Sequence, residues 1–330
     1  MSTRTERETT GPLGVIGCLA AGFELVGRNL YLAILPMLLD LLLWLGPHLS
    51  IAPLLRQFTA LLLAQPVPDQ AAASQIAQAV QLLEQFSEQF NLFSLFSLLP
   101  LFDVPSLLAR HAPGMVSPLG ESHMLAVTSV LALMAWAMVL LPAGLVLGTL
   151  YLGSLAHRVR TAYSTSALPH FSGVGKLVRV LLFAIGLLMI GMVLTLLWLL
   201  LSGVAAAIVP LLGLLAWMLG VGIASYVALH LLFVVHGILL GERGLLAAIW
   251  ESIVLIHTQF SSVVGLVVLA MMIYAGLGFV WSLPSGESWL LLVGILGNAC
   301  IATGLVAATF VFYQERIGQL PKKRQASAQA

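Results

Sequence analysis

Asp40 is the residue least expected from its surroundings, because it is an acid inside a long apolar stretch. An ionisable side chain at membrane depth is costly and is by default a functional candidate. Tyr226, His230 and Asn298 lie at comparable depth in other apolar stretches. Asp40, Tyr226, His230 and Asn298 are candidates for an intramembrane polar layer that handles a substrate or a proton. The alternatives are that each side chain binds a backbone group freed by a nearby breaker such as Pro36, or that the four make no contact.

Motifs that carry catalysis are missing from the sequence. It contains neither the HExxH motif of zinc proteases nor the Gly-x-Ser-x-Gly elbow of serine hydrolases. A run at 170–177 departs from a phosphate loop, since His170 replaces the first glycine and Leu177 replaces the Ser or Thr. Cys18 and Cys300 lack metal-type spacing. We therefore expect no catalytic residue, no metal, no cofactor and no enzymatic activity.

The composition places these residues in a membrane. Of the 330 residues, 60% are hydrophobic and 8% are charged, whereas an ordinary soluble domain is about 45–50% apolar and about 25% charged. So few charged side chains cannot cover a soluble protein of this size, and so apolar a chain is not disordered. The net charge of +1 gives no general attraction for nucleic acid. The composition therefore predicts the lipid bilayer as the main partner.

Six apolar stretches are long enough to cross a bilayer, which needs about 20 helical residues. They are continuous runs, without the alternation of a barrel. We predict an all-α integral membrane protein with six transmembrane helices, at about 29–48, 124–152, 177–201, 211–240, 259–282 and 288–313. Residues 203–219 are either re-entrant or part of a span, and Pro210 is one breaker there.

Basic residues predict the orientation, because cytoplasmic segments collect Lys and Arg. With six spans and the N-terminus inside, twelve of the 14 basic residues lie on the cytoplasmic side. Only Arg56 and Arg110 lie outside. An odd number of spans between Arg179 and Arg243 would move the basic C-terminal end outside. We therefore expect both termini in the cytoplasm.

These boundaries divide the chain into five parts. They are a disordered cytoplasmic tail (1–12), an interfacial helix with the first span (13–48), an external helical segment (49–123), a bundle of five spans (124–313) and a basic cytoplasmic tail (314–330).

The external segment has two predicted helices, 50–65 and 70–98, and then a Pro-rich loop over 99–122. In the second helix, apolar positions recur every three or four residues and form one face. This candidate partner face consists of Ile76, Val80, Leu83, Phe86, Phe90 and Phe93. This face packs against the protein's own spans, docks another membrane protein, or lies in the interface on the outer side of the membrane.

A weak internal repeat aligns residues 14–46 with 244–276 without a gap. Each copy has an amphipathic helix that leads into a span, with Arg28-Asn29 or Thr258-Gln259 between them. We interpret both helices as lying in the cytoplasmic interface and turning into the bilayer. The similarity has two explanations. It reflects a parallel duplication, as in some transporters, or the two arrangements of an interfacial helix leading into a span are similar but unrelated.

The first span reads LPMLLDLLLWLGPH from Leu35 to His48 and follows GFELV at 22–26. Together with GLLAAIWESI at 244–253, it resembles uncharacterised bacterial multi-pass proteins similar to the membrane domain that accompanies some glycerophosphoryl diester phosphodiesterases. The resemblance covers most of the chain, but it includes no phosphodiesterase domain and no catalytic motif. It implies a location in the bacterial plasma (inner) membrane and no activity.

Two functions are consistent with these features. The candidate partner face and the lack of catalytic motifs favour a non-enzymatic scaffold or accessory subunit that binds other membrane proteins. The repeat favours a small transporter or lipid-handling protein that uses the polar layer around Asp40. An intramembrane enzyme is a third class, which no motif supports.

Overall fold

The computed structural model describes residues 13–64, 70–97, 101–110, 116–163, 173–241 and 243–317. The predicted tail over 1–12 and most of the predicted tail over 314–330 lie outside these ranges. Helices dominate the described residues. Several are long and apolar enough to cross a membrane, so the predicted all-α membrane fold is confirmed.

The first four helices are comparatively short. They are α1 (Val15–Gly27), α2 (Ile34–Leu45), α3 (Ala52–Leu63) and α4 (Gln70–Gln89). The remaining helices are α5 (Val130–Tyr163), α6 (Gly173–Ile208), α7 (Pro210–Leu231), α8 (Val234–Leu239), α9 (Leu245–Trp281) and α10 (Leu291–Ile317). Two 3-10 turns, Leu30–Ala33 and Leu92–Ser97, precede α2 and follow α4.

Five apolar segments could each cross a bilayer: Val130–Tyr163, Val174–Ile208, Pro210–Leu239, Leu245–Trp281 and Leu291–Ile317. A sixth crossing exists if Val15–Gly27 and Leu30–Leu45, which meet at a bend of 95°, form one broken span. The predicted count of six is this upper number. The first predicted span is the least regular, because α2 has only 12 residues and a crossing needs about 20.

Residues 46–129, which connect α2 to α5, are called the head below. The head contains the short strands β1 (His48–Ser50), β2 (Val116–Ser117), β3 (Gly120–Glu121) and β4 (Met124–Ala126). β1 pairs in parallel with β4, and β2 pairs with β3 as a hairpin. The span predicted to begin at 124 therefore begins later, at Val130, because residues 124–126 pair with β1.

Residues 203–219 form the adjoining ends of α6 and α7. Val209 alone is extended between them (φ −146°, ψ 120°), and Pro210 opens α7. Proline suits the first turn of a helix, where its missing N–H would have no intrahelical acceptor. The Trp198 indole donates to the Ala216 carbonyl at 2.8 Å and joins the two helices into a hairpin.

The two copies of the internal repeat are interrupted at the same aligned position. In the first copy the chain breaks at Asn29 (φ −140°, ψ 58°), between α1 and the turn that leads into α2. In the second copy α9 is interrupted at Gln259 (φ −127°, ψ 28°). The alignment of 14–46 with 244–276 pairs these two residues. Both copies therefore consist of a helix, a break and a second helix, which favours a duplication.

The chain forms two compact units. Among the described residues, the first comprises those within 13–25, 152–269 and 306–317, and the second comprises those within 26–151 and 270–305. The core of the first unit includes an aromatic group in which Phe233 stacks on Phe312, with ring centroids 5.8 Å apart. The second unit has a buried core cluster of Trp44, Leu107, Leu108, Leu291 and Ile295.

Candidate functional site

Asp40 is fully buried, and its carboxylate binds one short segment of the head. Oδ2 accepts the Leu107 N–H at 3.0 Å, and Oδ1 accepts the Leu108 N–H at 3.0 Å. The Ser106 hydroxyl also donates to Oδ1. Hydrogen bonds that end on a carboxylate are stronger than bonds between neutral groups. Asp40 therefore ties residues 106–108 to α2.

The segment that begins at Ser106 presents its backbone amides to this acid. Ser106 Oγ accepts the Ala109 N–H at 3.0 Å, which is the bond that an N-cap residue makes at the start of a helical turn. Amides in a first turn have no acceptor inside the turn, and a negative group is favoured beside them. Asp40 supplies that negative group from a distant part of the sequence.

Two helices of the same unit contribute further polar side chains. Tyr274 of α9 donates its hydroxyl hydrogen to the Ser106 carbonyl at 3.2 Å. Asn298 of α10 is buried, and its side chain interacts with the Tyr274 hydroxyl. The Arg110 guanidinium lies over the Tyr274 ring, 5.0 Å from its centroid. The second unit thus holds a connected polar group around Asp40, built largely from residues of the head.

The four residues of the predicted polar layer belong to different units. Asp40 and Asn298 are in the second unit, whereas Tyr226 and His230 are in the first. Tyr226 is 55% exposed, while His230 is buried and its Nδ1 donates to the Tyr226 carbonyl at 2.8 Å. The imidazole therefore binds its own helix. A substrate or proton role for the layer stays a prediction.

Sequence reasoning missed the residues that bind Asp40. Ser106 is 66 positions away from Asp40 in the chain. Its only local signal is Pro105, which indicates a turn. A turn signal shows that amides are free, but it does not show which distant acid reaches them.

The candidate partner face is partly covered by the protein's own residues. α3 packs against α4. Val80 is buried, Phe86 is 52% exposed, and the other four members, Ile76, Leu83, Phe90 and Phe93, are partly buried. Phe86 stacks on Phe90, with centroids 5.0 Å apart. Docking by this face stays a prediction, and Phe86 is its most exposed member.

The helix predicted over 70–98 ends earlier, at Gln89. Asn91 Oδ1 accepts the N–H groups of Phe93 at 3.2 Å and of Leu49 at 3.1 Å. Short polar side chains that bind nearby amides compete with helix formation. Phe90 and Phe93 therefore lie beyond α4, and their place on a single helix face is corrected.

A cavity of about 180 Å³ is lined by residues of the head and by Leu43 of α2. His48, Ser94 and Arg110 are among its lining residues. His48 and Ser94 are 7% and 4% exposed, and neither His48 Nε2 nor Ser94 Oγ has a hydrogen-bond partner among the described residues. The His48 imidazole makes a hydrogen bond to the backbone of Phe90. Burial lowers the pKa of His48 below its ordinary value of 6.5, so the imidazole is neutral near pH 7.

The first unit contains a second buried acid, Glu251 of α9. Arg243 Nε lies 3.4 Å from Glu251 Oε2, and the Tyr313 hydroxyl donates to the same oxygen at 3.0 Å. Arg179 in turn donates to the Arg243 carbonyl at 3.3 Å. A buried carboxylate needs such partners to offset its lost hydration. Arg179 and Arg243 entered the sequence analysis only as orientation charges, and their partners come from tertiary contacts.

Within the described ranges, no three His, Cys, Asp or Glu side chains are grouped so that they could hold a metal ion. The resemblance of the first span to a membrane-domain family stays a prediction from residues. No protein-family model matches the chain, and no curated protein or solved structure is significantly similar to it.

Proposed function

We propose that the protein is a non-enzymatic scaffold or accessory subunit that binds another membrane protein through its head. Exposed apolar side chains on the α3–α4 hairpin carry this proposal. They are Phe58 (50% exposed), Leu61 (65%), Leu82 (66%) and Phe86 (52%). These residues lie outside the candidate spans. Exposed apolar side chains about one turn apart on each helix are typical of an interaction site.

A protein partner fits this hairpin better than a lipid surface does. α4 has no Lys or Arg among its 20 residues, and its polar positions are mainly glutamines. A helix that binds anionic lipid carries basic residues on its polar face. Apart from Glu84 and Glu88, the side chains of α4 are uncharged. Amide and apolar side chains suit a desolvated protein interface, from which charged residues are depleted.

The contacts of Asp40 support the same function. They hold residues 106–108 of the head on α2, and a rigid surface binds a partner with a smaller entropic cost than a mobile one. The alternative is a small transporter or lipid-handling protein that uses Asp40. It requires Asp40 to release three bonds to the head before it binds a substrate.

We further propose that the protein lies in a bacterial plasma membrane, with both termini in the cytoplasm and the head outside. Twelve of 14 basic residues lie on the inner side in this orientation, which supports it. The resemblance of the first span supports the choice of membrane.

The scaffold proposal is tested by crosslinking the protein in its native membrane and identifying captured proteins by mass spectrometry. We expect a stoichiometric membrane-protein partner that is lost in the double variant Leu82→Gln, Phe86→Gln. Leu119→Gln is the matched control, because Leu119 is 71% exposed in the head but lies on the β2–β3 turn. The proposal would be overturned if the wild type, the double variant and Leu119→Gln captured the same amount of the partner. Capture of lipid without any protein in every sample would also overturn it.

A further inference from the structure

We propose that the head cavity binds a small organic monoanion that also carries a hydrogen-bond donor, such as a 2-hydroxycarboxylate. The cavity belongs to the second unit alone. Its lining comes from Leu43 of α2, His48, the end of α4 with the two residues after it, the 3-10 turn and residues 108–110. The inference does not rest on the scaffold role. Phe86 belongs to both the exposed face and the cavity lining, but the cavity variants below change only His48, Ser94 and Arg110.

Two buried polar groups in the lining lack a partner. His48 Nε2 and Ser94 Oγ make no hydrogen bond among the described residues, although both side chains are more than nine-tenths buried. An unmatched buried polar group destabilises the folded protein. A ligand or water that hydrogen-bonds to these two atoms would satisfy them, so the unmatched groups indicate what the occupant must offer.

Arg110 sets the charge of the occupant. Its Nη2 is 3.1 Å from Asp103 Oδ2, but a guanidinium has five N–H donors in a rigid fork, so one partner leaves donors for a ligand. Asp103 does not line the cavity, and none of the described lining residues is acidic. A carboxylate is the planar anion that matches the guanidinium fork.

His48 requires a donor from the same ligand. Its bond to the Phe90 backbone is made by Nδ1, because Nε2 is unpartnered. A carbonyl only accepts, so Nδ1 carries the hydrogen and Nε2 presents a lone pair. That lone pair attracts a hydroxyl or amino hydrogen and repels a second negative charge. The site therefore favours a hydroxylated monoanion over an inorganic phosphate dianion.

The size and the walls of the cavity limit the occupant further. An engineered protein cavity of about 150 Å³ holds benzene, so about 180 Å³ admits a molecule of roughly six to eight heavy atoms. Leu43, Phe86, Phe90 and Leu108 supply apolar walls. These walls contact the carbon atoms of a ligand whose polar atoms face Arg110, Ser94 and His48.

The test uses the purified full-length protein in nanodiscs and measures equilibrium binding of radiolabelled lactate. Propionate lacks the hydroxyl, and lactamide lacks the charge. We expect propionate to compete about three- to tenfold more weakly than lactate, and lactamide about 10- to 100-fold more weakly, from the usual strengths of neutral and charged hydrogen bonds. Nanodiscs with and without phosphatidylglycerol distinguish a free acid from a lipid headgroup with the same chemistry.

Variants assign the binding to the cavity. His48→Asn keeps a donor near the Nδ1 position but removes the Nε2 acceptor, and Ser94→Ala removes a hydroxyl that no described residue binds. Each should weaken lactate binding about three- to tenfold without lowering the melting temperature. Arg110→Gln should weaken it about 10- to 100-fold.

The matched controls lie in the same head. Arg56→Gln removes an exposed positive charge, and Ser87→Ala removes a buried hydroxyl that donates to the Glu84 carbonyl at 2.7 Å. Neither residue lines the cavity. Retained lactate binding in both controls, together with its loss in the cavity variants, supports the proposal. Absence of lactate binding to the folded wild type, or equal binding by all variants, overturns it.

Discussion

At the scale of single residues, Asp40 shows how an acid inside an apolar helix is accommodated. Its carboxylate accepts two backbone N–H bonds and one hydroxyl bond from residues 106–108. The desolvation cost of a buried carboxylate is high, and it is offset only by several well-placed donors. The same bonds hold the loop, so the acid and the loop stabilise each other.

Asp40→Asn is expected to destabilise the head by about 2–3 kcal/mol, the usual worth of a hydrogen bond to a charged group. The amide has one acceptor oxygen and turns an NH₂ group toward backbone donors. Faster hydrogen exchange at Leu107 and Leu108 measures the loss directly.

Asp103→Asn is the matched control, because a third of the Asp103 side chain is exposed and its salt bridge with Arg110 is solvent-accessible. We expect a change below about 1 kcal/mol there. Wild-type exchange at Leu107 and Leu108 in Asp40→Asn would contradict the anchoring role.

His48 gives the head a pH dependence. Burial lowers its pKa below 6.5 in the folded protein, so the unfolded chain binds more protons when the pH falls below that value. The free energy of unfolding should therefore be constant above about pH 7 and decrease in acid, by at most about 1.4 kcal/mol per pH unit. Thermal unfolding of the wild type and of His48→Asn over this range measures the effect. An identical slope in both proteins would exclude His48 as its cause.

At the scale of elements, one serine joins a broken helix in the first unit. α7 ends at Leu231 and α8 begins at Val234. Ser252 of α9 donates to the His230 carbonyl at 2.7 Å and accepts the Phe233 N–H at 3.2 Å. A helix break leaves backbone groups without intrahelical partners, and such groups need side chains when they are buried. Ser252 makes this break compatible with a buried position.

Ser252→Ala should lower the stability of the protein by about 1–3 kcal/mol, because it leaves a buried carbonyl and a buried N–H unpaired. Ser261→Ala in the same helix is the control, since Ser261 is exposed and should change stability by less than about 0.5 kcal/mol. Thermal unfolding of both variants in one detergent makes the comparison. Equal melting temperatures would show that water or a shifted backbone replaces the serine.

At the scale of the whole molecule, the charge distribution and the number of spans predict one topology. In a background with Cys18→Ala and Cys300→Ala, an impermeant maleimide should label Gln81→Cys in intact cells, because Gln81 is exposed on the head. Thr161→Cys, exposed at the end of α5, should react only after permeabilisation. We expect this topology because it places twelve of the 14 basic residues on the cytoplasmic side and only two on the outer side. Labelling in the reverse order would contradict the topology.

The sequence alone determined the fold class and the approximate positions of the long helices. A span can be recognised from its own residues, because each crossing of a bilayer needs about 20 apolar residues whatever the rest of the chain does. Local signals also located Pro210 at the turn between α6 and α7. The aligned breaks at Asn29 and Gln259 could be anticipated from the polar pairs at these positions.

Tertiary structure alone decided which polar groups meet. The polar layer was predicted by grouping residues that lie at a similar depth in the membrane. In the structure, Asp40 instead binds Ser106 and its neighbours, because the head folds onto α2. The end of α4 was set by Asn91, whose side chain also binds Leu49, 42 positions earlier. Hydrophobicity acts on every residue according to its own type, but a hydrogen bond depends on the distance and angle between two particular atoms, and only the folded chain brings those atoms together.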